Sequence, residues 1–469
     1  MTEEPMANEQ SDVDGEPGGS AALTEFGYTQ QLRRTLRLRD LLIYGLVFMV
    51  PIAPFAIFGV VFNASAGMAP LTYVVGLIAM VFTALSYREM SRAFPIAGSV
   101  YSYAGRGIAG WVGFIAGWAI LLDYLLVPTL LYVTGAVALE TIVPGVPQWL
   151  WIVIFVVINT AVNLIGIETT ARANKYFLLG ELIVLAIFVV AAIVAVTQGT
   201  NGAHWSITPF FNAREFSPAL VFAALSVAVL SFLGFDAIST LSEEVQGGPR
   251  VVGRATLLSL CLVASVFVVQ TYLAALLVPN KTKFHGQDAT NQAFYHVAGL
   301  AAGHWLTAVV AVSSALAAAV ADSLVAQAAT SRLLFSMARD GTLPRFLAHV
   351  NPKRKVPDRA IMLVGAISVI LGIVFVGQVE FLSTLVNFGA LFAFLLLHIS
   401  VGVYYLIKKR QHTFGMHLVV PAIGFVIIAY VLYNADIHAK IGGAIWLAIG
   451  VIIIVVRKLT GRSTTAPPS

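Results

Sequence analysis

Charged residues and cysteine are scarce in this chain of 469 residues. Asp, Glu, Lys and Arg make up 11% of it, against roughly a quarter of an average soluble domain. Cys261 is the single cysteine, so neither an internal disulfide nor a cysteine metal site can form. Residues 1–20 contain no apolar run, which argues against a signal peptide and predicts a disordered tail. These shortages point away from a soluble or disulfide-stabilised domain.

Motifs of enzymes and of ATP-driven pumps are missing as well. The sequence has no HExxH, no GxxxxGK[ST], no GxSxG, and no cluster of histidines and acids with metal spacing. The net charge of +5 does not reflect a basic stripe, because the basic residues lie near the ends of apolar blocks. We therefore predict no enzymatic activity, no cofactor, no metal and no nucleic-acid partner.

Long apolar blocks are what the sequence has in abundance. Hydrophobic residues make up 58% of the chain, and one helix needs about 18–20 consecutive apolar residues to cross a bilayer core. A dozen such blocks, joined by short polar segments, predict an all-α integral membrane protein with 12 transmembrane helices in the lipid bilayer. The predicted spans are residues 40–63, 69–88, 111–139, 147–166, 174–197, 218–242, 253–278, 304–334, 360–377, 381–407, 417–435 and 441–457.

The basic residues test these spans and set their orientation, because cytoplasmic loops carry an excess of Lys and Arg. With a cytoplasmic N-terminus, 24 of the 28 basic residues fall on the cytoplasmic side. The four on the outer side are Arg214, Lys281, Lys283 and Lys440. We therefore predict a multi-pass protein of the plasma (inner) membrane with both termini cytoplasmic. Its tails would cover residues 1–38 and 459–469.

Two spans contain breaks at matching positions. Pro51 and Pro54 interrupt the first span, because proline lacks a backbone N–H and clashes with the preceding turn. Gly234 and Asp236 lie in the middle of the sixth span. The simpler explanation is a proline kink and a packing glycine. Broken backbone in a membrane otherwise lines a cavity, and two breaks five spans apart are typical of inverted five-helix repeats with a central binding site.

Four acids fall within the spans, whereas no Lys or Arg falls well within them. Burial of a carboxylate at mid-bilayer costs at least about 2.5–3.5 kcal/mol. The acids must therefore be protonated, meet a cationic ligand or bind a cation. Asp236 adjoins a break, which favours function, and Glu181 leans the same way or is hydrated near the cytoplasmic end. For Asp123 and Asp322 a structural hydrogen bond is an equal alternative.

Several segments resemble the amino acid–polyamine–organocation permeases. The hinge FPIAGSVYSY at residues 94–103 is similar to their FPxAGSxYxY signature, and SFLGFDAISTLSEE at residues 231–244 resembles helix six of bacterial putrescine importers. The other similar stretches lie at residues 113–124, 331–334 and 386–391. The resemblance covers roughly residues 35–410.

This resemblance implies a leucine-transporter-type fold, a 5+5 inverted repeat with discontinuous helices 1 and 6 plus two extra helices. The ten-helix core would cover residues 39–410, with repeats at about 40–200 and 215–410. Helices 11 and 12 would occupy residues 411–458. The central site would be made by helices one, three, six, eight and ten.

The resemblance also assigns residues to the predicted site. Residues 51–55 would form the unwound segment of helix one, and Phe232 and Phe235 would lie in an aromatic gate. Glu181 falls where many proton-coupled relatives place a helix-five lysine, and with Asp322 it is our candidate for coupling. The predicted substrate-binding residues are Pro51, Ile52, Ala53, Pro54, Phe55, Asp123, Tyr124, Phe232, Gly234, Phe235 and Asp236.

Two departures leave the substrate open. Amino-acid members usually carry GSGIF at the helix-one break, where N–H groups hold the substrate carboxylate, whereas the prolines here favour an amine without one. The putrescine importers have an acid near the position of Ala56, which this chain lacks. We expect a secondary transporter that imports amino acids, polyamines or other small organic amines by alternating access. H+ would be the coupling ion, or Na+ if Ser313, Ser314 and Ser323 supply hydroxyl ligands. A nutrient-sensing transceptor and an integral membrane enzyme are the alternatives.

Overall fold

The computed structural model describes residues 29, 31–142, 145–376, 379–411, 413–435 and 437–459. Most of the two predicted tails, residues 1–28 and 460–469, lies outside the described residues. Within that part of the chain there is no β-strand, and strand-like pairing is limited to one isolated bridge between Leu36 and Val245. The prediction of an all-α protein is confirmed.

Seventeen α-helices make up the described chain, with shorter turns between them. The α-helices are α1 (Leu38–Phe48), α2 (Pro54–Ala64), α3 (Ala69–Ala93), α4 (Ser99–Gly107), α5 (Gly110–Ile142), α6 (Gln148–Ile165), α7 (Ile167–Thr197), α8 (Pro218–Ala228), α9 (Pro249–Leu276), α10 (Gln287–Asn291), α11 (Ala293–Ala302), α12 (His304–Leu316), α13 (Ser323–Arg339), α14 (Asp358–Val374), α15 (Val379–Gly402), α16 (Val420–Tyr433) and α17 (Ile437–Leu459). Short 3₁₀ helices cover Thr200–Gly202, Val229–Phe232, Phe235–Glu244 and Arg345–Ala348. π-helical turns cover Ala317–Asp322, Val403–Lys408 and Gly415–Val419.

Within the described residues, ten helical segments are long and apolar enough to cross a membrane, so the protein is a multi-pass membrane protein. Two of the twelve predicted spans do not meet that length. The first is divided into α1 and α2, each of 11 residues, and the ninth, α14, has 17 residues. The ten segments are Ala69–Ala93, Gly110–Ala136, Gln148–Ile165, Asn174–Thr197, Pro218–Glu244, Arg250–Leu276, His304–Arg339, Leu385–Lys408, Gly415–Tyr433 and Lys440–Leu459.

Several helices continue past the ends of the predicted spans. α3 runs on to Ala93 and includes Arg88 and Arg92, and α13 runs on to Arg339. Hydropathy detects where a chain leaves the apolar layer, whereas the backbone hydrogen bonds of a helix continue until a residue stops them. The helices that contain these spans therefore extend beyond residues 88 and 334.

The break between α1 and α2 is a tight turn. Val50 has a positive φ of 46°, and the N–H of Ala53 bonds to the carbonyl of Val50 at 2.7 Å. Pro54 then begins α2, a first-turn position where a missing N–H costs nothing. The sequence VPIAP thus ends one helix and starts another within five residues.

The second break follows α8. The 3₁₀ segment ends at Phe232, Leu233 is extended, and Gly234 has φ +112° before the next 3₁₀ segment begins at Phe235. A Cβ on Gly234 would lie 2.9 Å from Cγ of Phe48 and 3.0 Å from its carbonyl oxygen. Because Phe48 is the last residue of α1, Gly234 brings the two breaks into direct contact.

Some helices pack in the centre of the protein and others lie at its periphery. α9 packs extensively against α3 and α1, and α5 packs against α15 and α4. α17 lies at the edge, because only 11% of the residues in its most apolar stretch are buried inside the protein. Its exposed isoleucines and valines form a surface suited to lipid.

Candidate functional site

Asp236 lies in the first turn after the second break and is only 1% exposed. Its Oδ2 accepts a hydrogen bond of 2.6 Å from the hydroxyl of Tyr124, and its Oδ1 accepts one of 3.3 Å from the N–H of Gly234. A carboxylate offers about four lone-pair positions. These bonds, together with the backbone N–H groups of Asp236 and Ala237 close to the carboxylate, orient Asp236. Among the described residues no Lys or Arg pairs with it.

Tyr124 is positioned by a proline of its own helix. Pro128 lies inside α5 and cannot donate to the carbonyl four residues before it, which belongs to Tyr124. The hydroxyl of Thr330 on α13 lies 2.5 Å from that carbonyl and 2.7 Å from the carbonyl of Ala326 in its own helix, so its single proton is shared between the two. The side-chain oxygen of Tyr124 holds Asp236 while its backbone oxygen is held by α13, so three elements converge here.

Asp123 is the neighbour of Tyr124 on α5 and is 3% exposed. A Cβ on Gly389 would lie 2.9 Å from the backbone nitrogen of Asp123, so α15 approaches α5 at backbone distance. Asp123 and Asp236 are within electrostatic range of each other. The structure therefore brings together Asp123, Tyr124, Gly234 and Asp236 from the predicted site.

The two phenylalanines of the second break are fully buried in different aromatic groups. The ring of Phe232 lies 5.9 Å from Tyr73 and 5.6 Å from Phe267. The ring of Phe235 lies 5.9 Å from Tyr87 and 5.7 Å from Phe394. Aromatic packing therefore fixes the backbone before and after Gly234.

Phe55 at the start of α2 points to a third aromatic group. Its ring stacks on Phe294 of α11 at 4.2 Å and lies 5.9 Å from Phe188 of α7. Asn63 anchors the other end of α2, since it donates to the carbonyl of Phe284 at 2.9 Å and accepts from its N–H at 2.6 Å. We call the end of the bundle that carries Phe55, Asn63 and Phe284 the aromatic end. Of the predicted site residues, Phe55 belongs to it rather than to the surroundings of Asp236.

Sequence reasoning missed Gln270 of α9, which contacts the first break. Its Nε2 donates to the carbonyl of Pro51 at 2.8 Å, and the residue has no exposed surface. Pro51 is thus the member of residues 51–55 whose backbone oxygen meets a side chain from another span. The available signal was a lone glutamine inside an apolar block, since buried polar groups in membranes are costly unless paired.

Glu181 and Asp322 form a second acidic group. Both carboxylate oxygens of Glu181 and Oδ1 of Asp322 are buried without a hydrogen-bond partner in the described part of the chain. Asp322 lies within electrostatic range of both Glu181 and Asp123. It ends the π-helical turn Ala317–Asp322, and such turns are frequent at functional sites. Asp123 is therefore within electrostatic range of both Asp322 and Asp236.

The end of the bundle that carries Arg332 and Arg339, called the basic end below, is closed by buried ion pairs. Arg332 pairs with Glu244 through two hydrogen bonds, and Arg339 pairs with Glu243 at 2.7 and 2.9 Å. Arg332 falls near the end of the predicted span 304–334 and is 3% exposed within α13. The prediction that no Lys or Arg falls well within a span does not hold for Arg332, because α13 continues past it to Arg339.

The permease-like hinge at residues 94–103 is tied to the same ion pairs. The N–H of Ala97 donates to Glu243 at 2.9 Å, and the carbonyl of Ala97 accepts from Ser336 at 2.6 Å. Tyr101 donates to Asp340 at 2.9 Å. The hinge therefore joins the 3₁₀ segment after the second break to the end of α13.

Comparisons with known proteins agree with the fold. The amino acid permease family matches residues 41–456. The low-affinity putrescine importer PlaP of Escherichia coli is 34% identical over 433 residues, which cover 90% of this chain and 93% of the importer. The methylthioribose transporter of Bacillus subtilis is 28% identical, covering 91% and 93% of the two chains, and its branched-chain amino acid permease BcaP is 25% identical, covering 90% and 93%. All three relatives are named as transporters and none as an enzyme, in agreement with the prediction. The chain belongs to the amino acid permease family.

Proposed function

We propose that this permease imports small organic amines or amino acids across the plasma membrane by alternating access. The observation that carries the proposal is Asp236, a buried carboxylate that pairs with no Lys or Arg among the described residues and lies where the two breaks meet. An ammonium group is the natural ligand for a desolvated carboxylate, because a charge-assisted hydrogen bond offsets the cost of burial. Tyr124 holds the carboxylate, and Asp123 adds negative charge close by.

The relatives differ in what they carry, so their names do not decide the substrate. They are named for putrescine, branched-chain amino acids and methylthioribose. Two features of this chain favour an amine over an α-amino acid. Pro51 and Pro54 remove two N–H donors from the first break, and the acids of the site repel a carboxylate.

The proposed transport cycle uses the two ends of the bundle as gates. In our proposal twelve spans form two inverted repeats, and the basic end faces the cytoplasm, as the distribution of Lys and Arg favours. The pairs Arg332–Glu244 and Arg339–Glu243 then close the inner path, and the rings around Phe55 close the outer one. Both closures touch a broken helix, which supports a cycle in which the helices next to each break move to open one side at a time.

Coupling to protons is the proposed driving force. Both carboxylate oxygens of Glu181 and Oδ1 of Asp322 are buried without a donor among the described residues, which is the environment of a group that gains and loses a proton. Sodium is the alternative coupling ion, because Ser314 and Ser323, which donate to the carbonyls of Val310 and Ala319, keep hydroxyl lone pairs that a cation can use. A transceptor is the second candidate, because a nutrient sensor with this fold would bind the ligand at the same site without accumulating it in the cell.

Ligand-dependent thermal stabilisation of the purified protein tests the binding site. A ligand that binds only the folded state raises Tm by mass action. We expect diamines or basic amino acids to stabilise the wild type and Asp236→Asn to lose this response. The control is Asp358→Asn, at the start of α14, which should respond like the wild type. If neutral amino acids alone stabilise and Asp236→Asn responds normally, the amine proposal is wrong.

Uptake into proteoliposomes separates the transporter from the transceptor. A ligand identified by stabilisation should accumulate when an inward proton gradient is imposed, and accumulation should cease when a protonophore removes the gradient. Saturable binding without accumulation under any imposed gradient would instead support the transceptor. The same assay with an inward sodium gradient distinguishes the two coupling ions.

A further inference from the structure

Gln270 has one satisfied and one unsatisfied end. Its Nε2 donates to the carbonyl of Pro51 at 2.8 Å and to the carbonyl of Val266 at 3.1 Å, which uses both amide protons. Its Oε1 is buried and has no hydrogen-bond partner in the described part of the chain. The side chain is therefore fixed in orientation with a bare acceptor.

A bare acceptor in this position calls for an explanation. Leaving a buried carbonyl unpaired costs about 1–3 kcal/mol, so native proteins keep few such atoms and usually pair them with a ligand or an ordered water. A methionine of similar size would avoid the unpaired oxygen but would leave the carbonyl of Pro51 without its partner. Because the amide NH2 of Gln270 is already bound, its orientation is fixed and its oxygen stays available to a hydrogen-bond donor.

The surroundings of Gln270 belong to the binding site proposed above. Pro51 is the first residue of the unwound segment between α1 and α2. Phe267, one turn earlier on α9, contacts Phe232 at 5.6 Å, so the same face of α9 meets the second break. The wall formed by α9 therefore adjoins both breaks and presents an acceptor, which attracts an N–H group and repels a carboxylate.

We propose that the Oε1 of Gln270 accepts a hydrogen bond from the transported molecule, through a donor other than the group bound by Asp236. This inference rests on the proposed function and narrows the substrate class. The transported molecule then carries hydrogen-bond donors at two positions and no carboxylate, as a short diamine does. Gln270 is a specificity residue in this assignment.

Gln327 provides a matched control. It lies on α13, is fully buried like Gln270, and has both ends satisfied: its Nε2 donates to Thr160 at 2.8 Å and its Oε1 accepts from Asn163 at 3.0 Å. Replacing either glutamine by methionine removes buried hydrogen bonds and lowers stability. Only the replacement of Gln270 removes a bare acceptor.

The test compares 1,4-diaminobutane with n-butylamine, which have the same carbon chain and differ in the second donor. Their affinities for the full-length protein are measured from the concentration dependence of Tm. We expect the wild type and Gln327→Met to prefer the diamine. Gln270→Met should bind the diamine roughly tenfold or more weakly, the usual effect of one hydrogen bond to a charged group, and bind butylamine as the wild type does.

A second variant keeps the test decisive if Gln270→Met does not fold. Gln270→Glu retains an acceptor oxygen and loses the donor to Pro51, so it should be less stable without ligand and still prefer the diamine. Equal diamine affinity in Gln270→Met and the wild type, or a loss of preference in Gln270→Glu, would show that the Oε1 of Gln270 does not bind the transported molecule, and the inference would be wrong.

The result also separates this inference from the proposed function. If butylamine binding depends on Asp236 while the diamine preference is absent or independent of Gln270, only the inference on Gln270 fails. If the wild type binds neither amine and responds to neutral amino acids alone, both fail together.

Discussion

Thr330 donates its hydroxyl to the carbonyl of Tyr124, the backbone oxygen that Pro128 leaves without a helical partner. The two residues are 206 positions apart, on α13 and α5. Through the hydroxyl of Tyr124, the same contact reaches Asp236 at the second break. A proline in one span thus becomes a fixed link between three elements of the proposed site.

Thr330→Val should weaken that link. The variant keeps the shape of the side chain and leaves the buried carbonyl of Tyr124 unpaired, at a cost of about 1–3 kcal/mol. Because Tyr124 orients Asp236, affinity for an amine ligand should fall with stability. Thr129→Val is the control, since Thr129 is equally buried and donates only within its own helix, to Leu125. Similar thermal unfolding and ligand response in the two variants would contradict the proposed role.

Gly234→Ala should be among the most damaging single-methyl changes. The backbone at φ +112° costs about 1–2 kcal/mol for a residue with a Cβ, and the added carbon would collide with Phe48. We expect a lower Tm and loss of transport. The control is Gly180→Ala on the exposed face of α7, where a Cβ meets nothing within 4 Å. That change should be neutral or stabilise by up to about 1 kcal/mol; equal effects of the two substitutions would refute the argument.

Arg332→Met should destabilise strongly, because it leaves Glu244 buried without its cation, at about 3–5 kcal/mol. The double variant with Glu244→Gln should recover part of the loss, since the unpaired charge is removed. Arg92→Met, which breaks a more exposed pair with Glu89, should change stability by no more than about 1 kcal/mol. Denaturation of the purified variants measures all three. Equal costs for Arg332→Met and Arg92→Met would disprove the burial argument.

Glu181→Gln tests the coupling proposal. The amide cannot exchange a proton, so uptake driven by an imposed proton gradient should fall sharply. Exchange of labelled for unlabelled substrate at equal pH should continue, because it requires binding and gating without net proton movement. Gln246→Glu, at an exposed position of the basic end, serves as a charge-change control. Gradient-driven accumulation by Glu181→Gln at the wild-type level would exclude Glu181 as the proton carrier.

Orientation is testable by labelling, because Cys261 is the chain's single cysteine. On a Cys261→Ser background, a cysteine at Thr282 should react with a membrane-impermeant maleimide in intact cells. A cysteine at Lys355 should react only after the cells are opened. Both positions are exposed, at opposite ends of the bundle. The reverse pattern would place the basic end outside and contradict the proposed gates.

Local chemistry made several features of this protein predictable. The spans follow from the length of the apolar blocks. The two breaks follow from Pro51, Pro54 and Gly234, because each of these residues changes the backbone in its own immediate neighbourhood. The acids inside spans, Asp236 and Glu181, are readable for the same reason, because a charged residue stands out against an apolar background.

Contacts between distant spans were decided by the tertiary structure alone. Gln270 meets Pro51 across 219 positions and Arg332 meets Glu244 across 88, and no periodicity within one helix specifies which face of another it will meet. The sequence by itself determined that this is a helical membrane protein with two broken spans and acids in its interior. Which of those acids are paired, and which polar atom at a break is left bare, follows from side-chain packing between helices that are far apart in the chain.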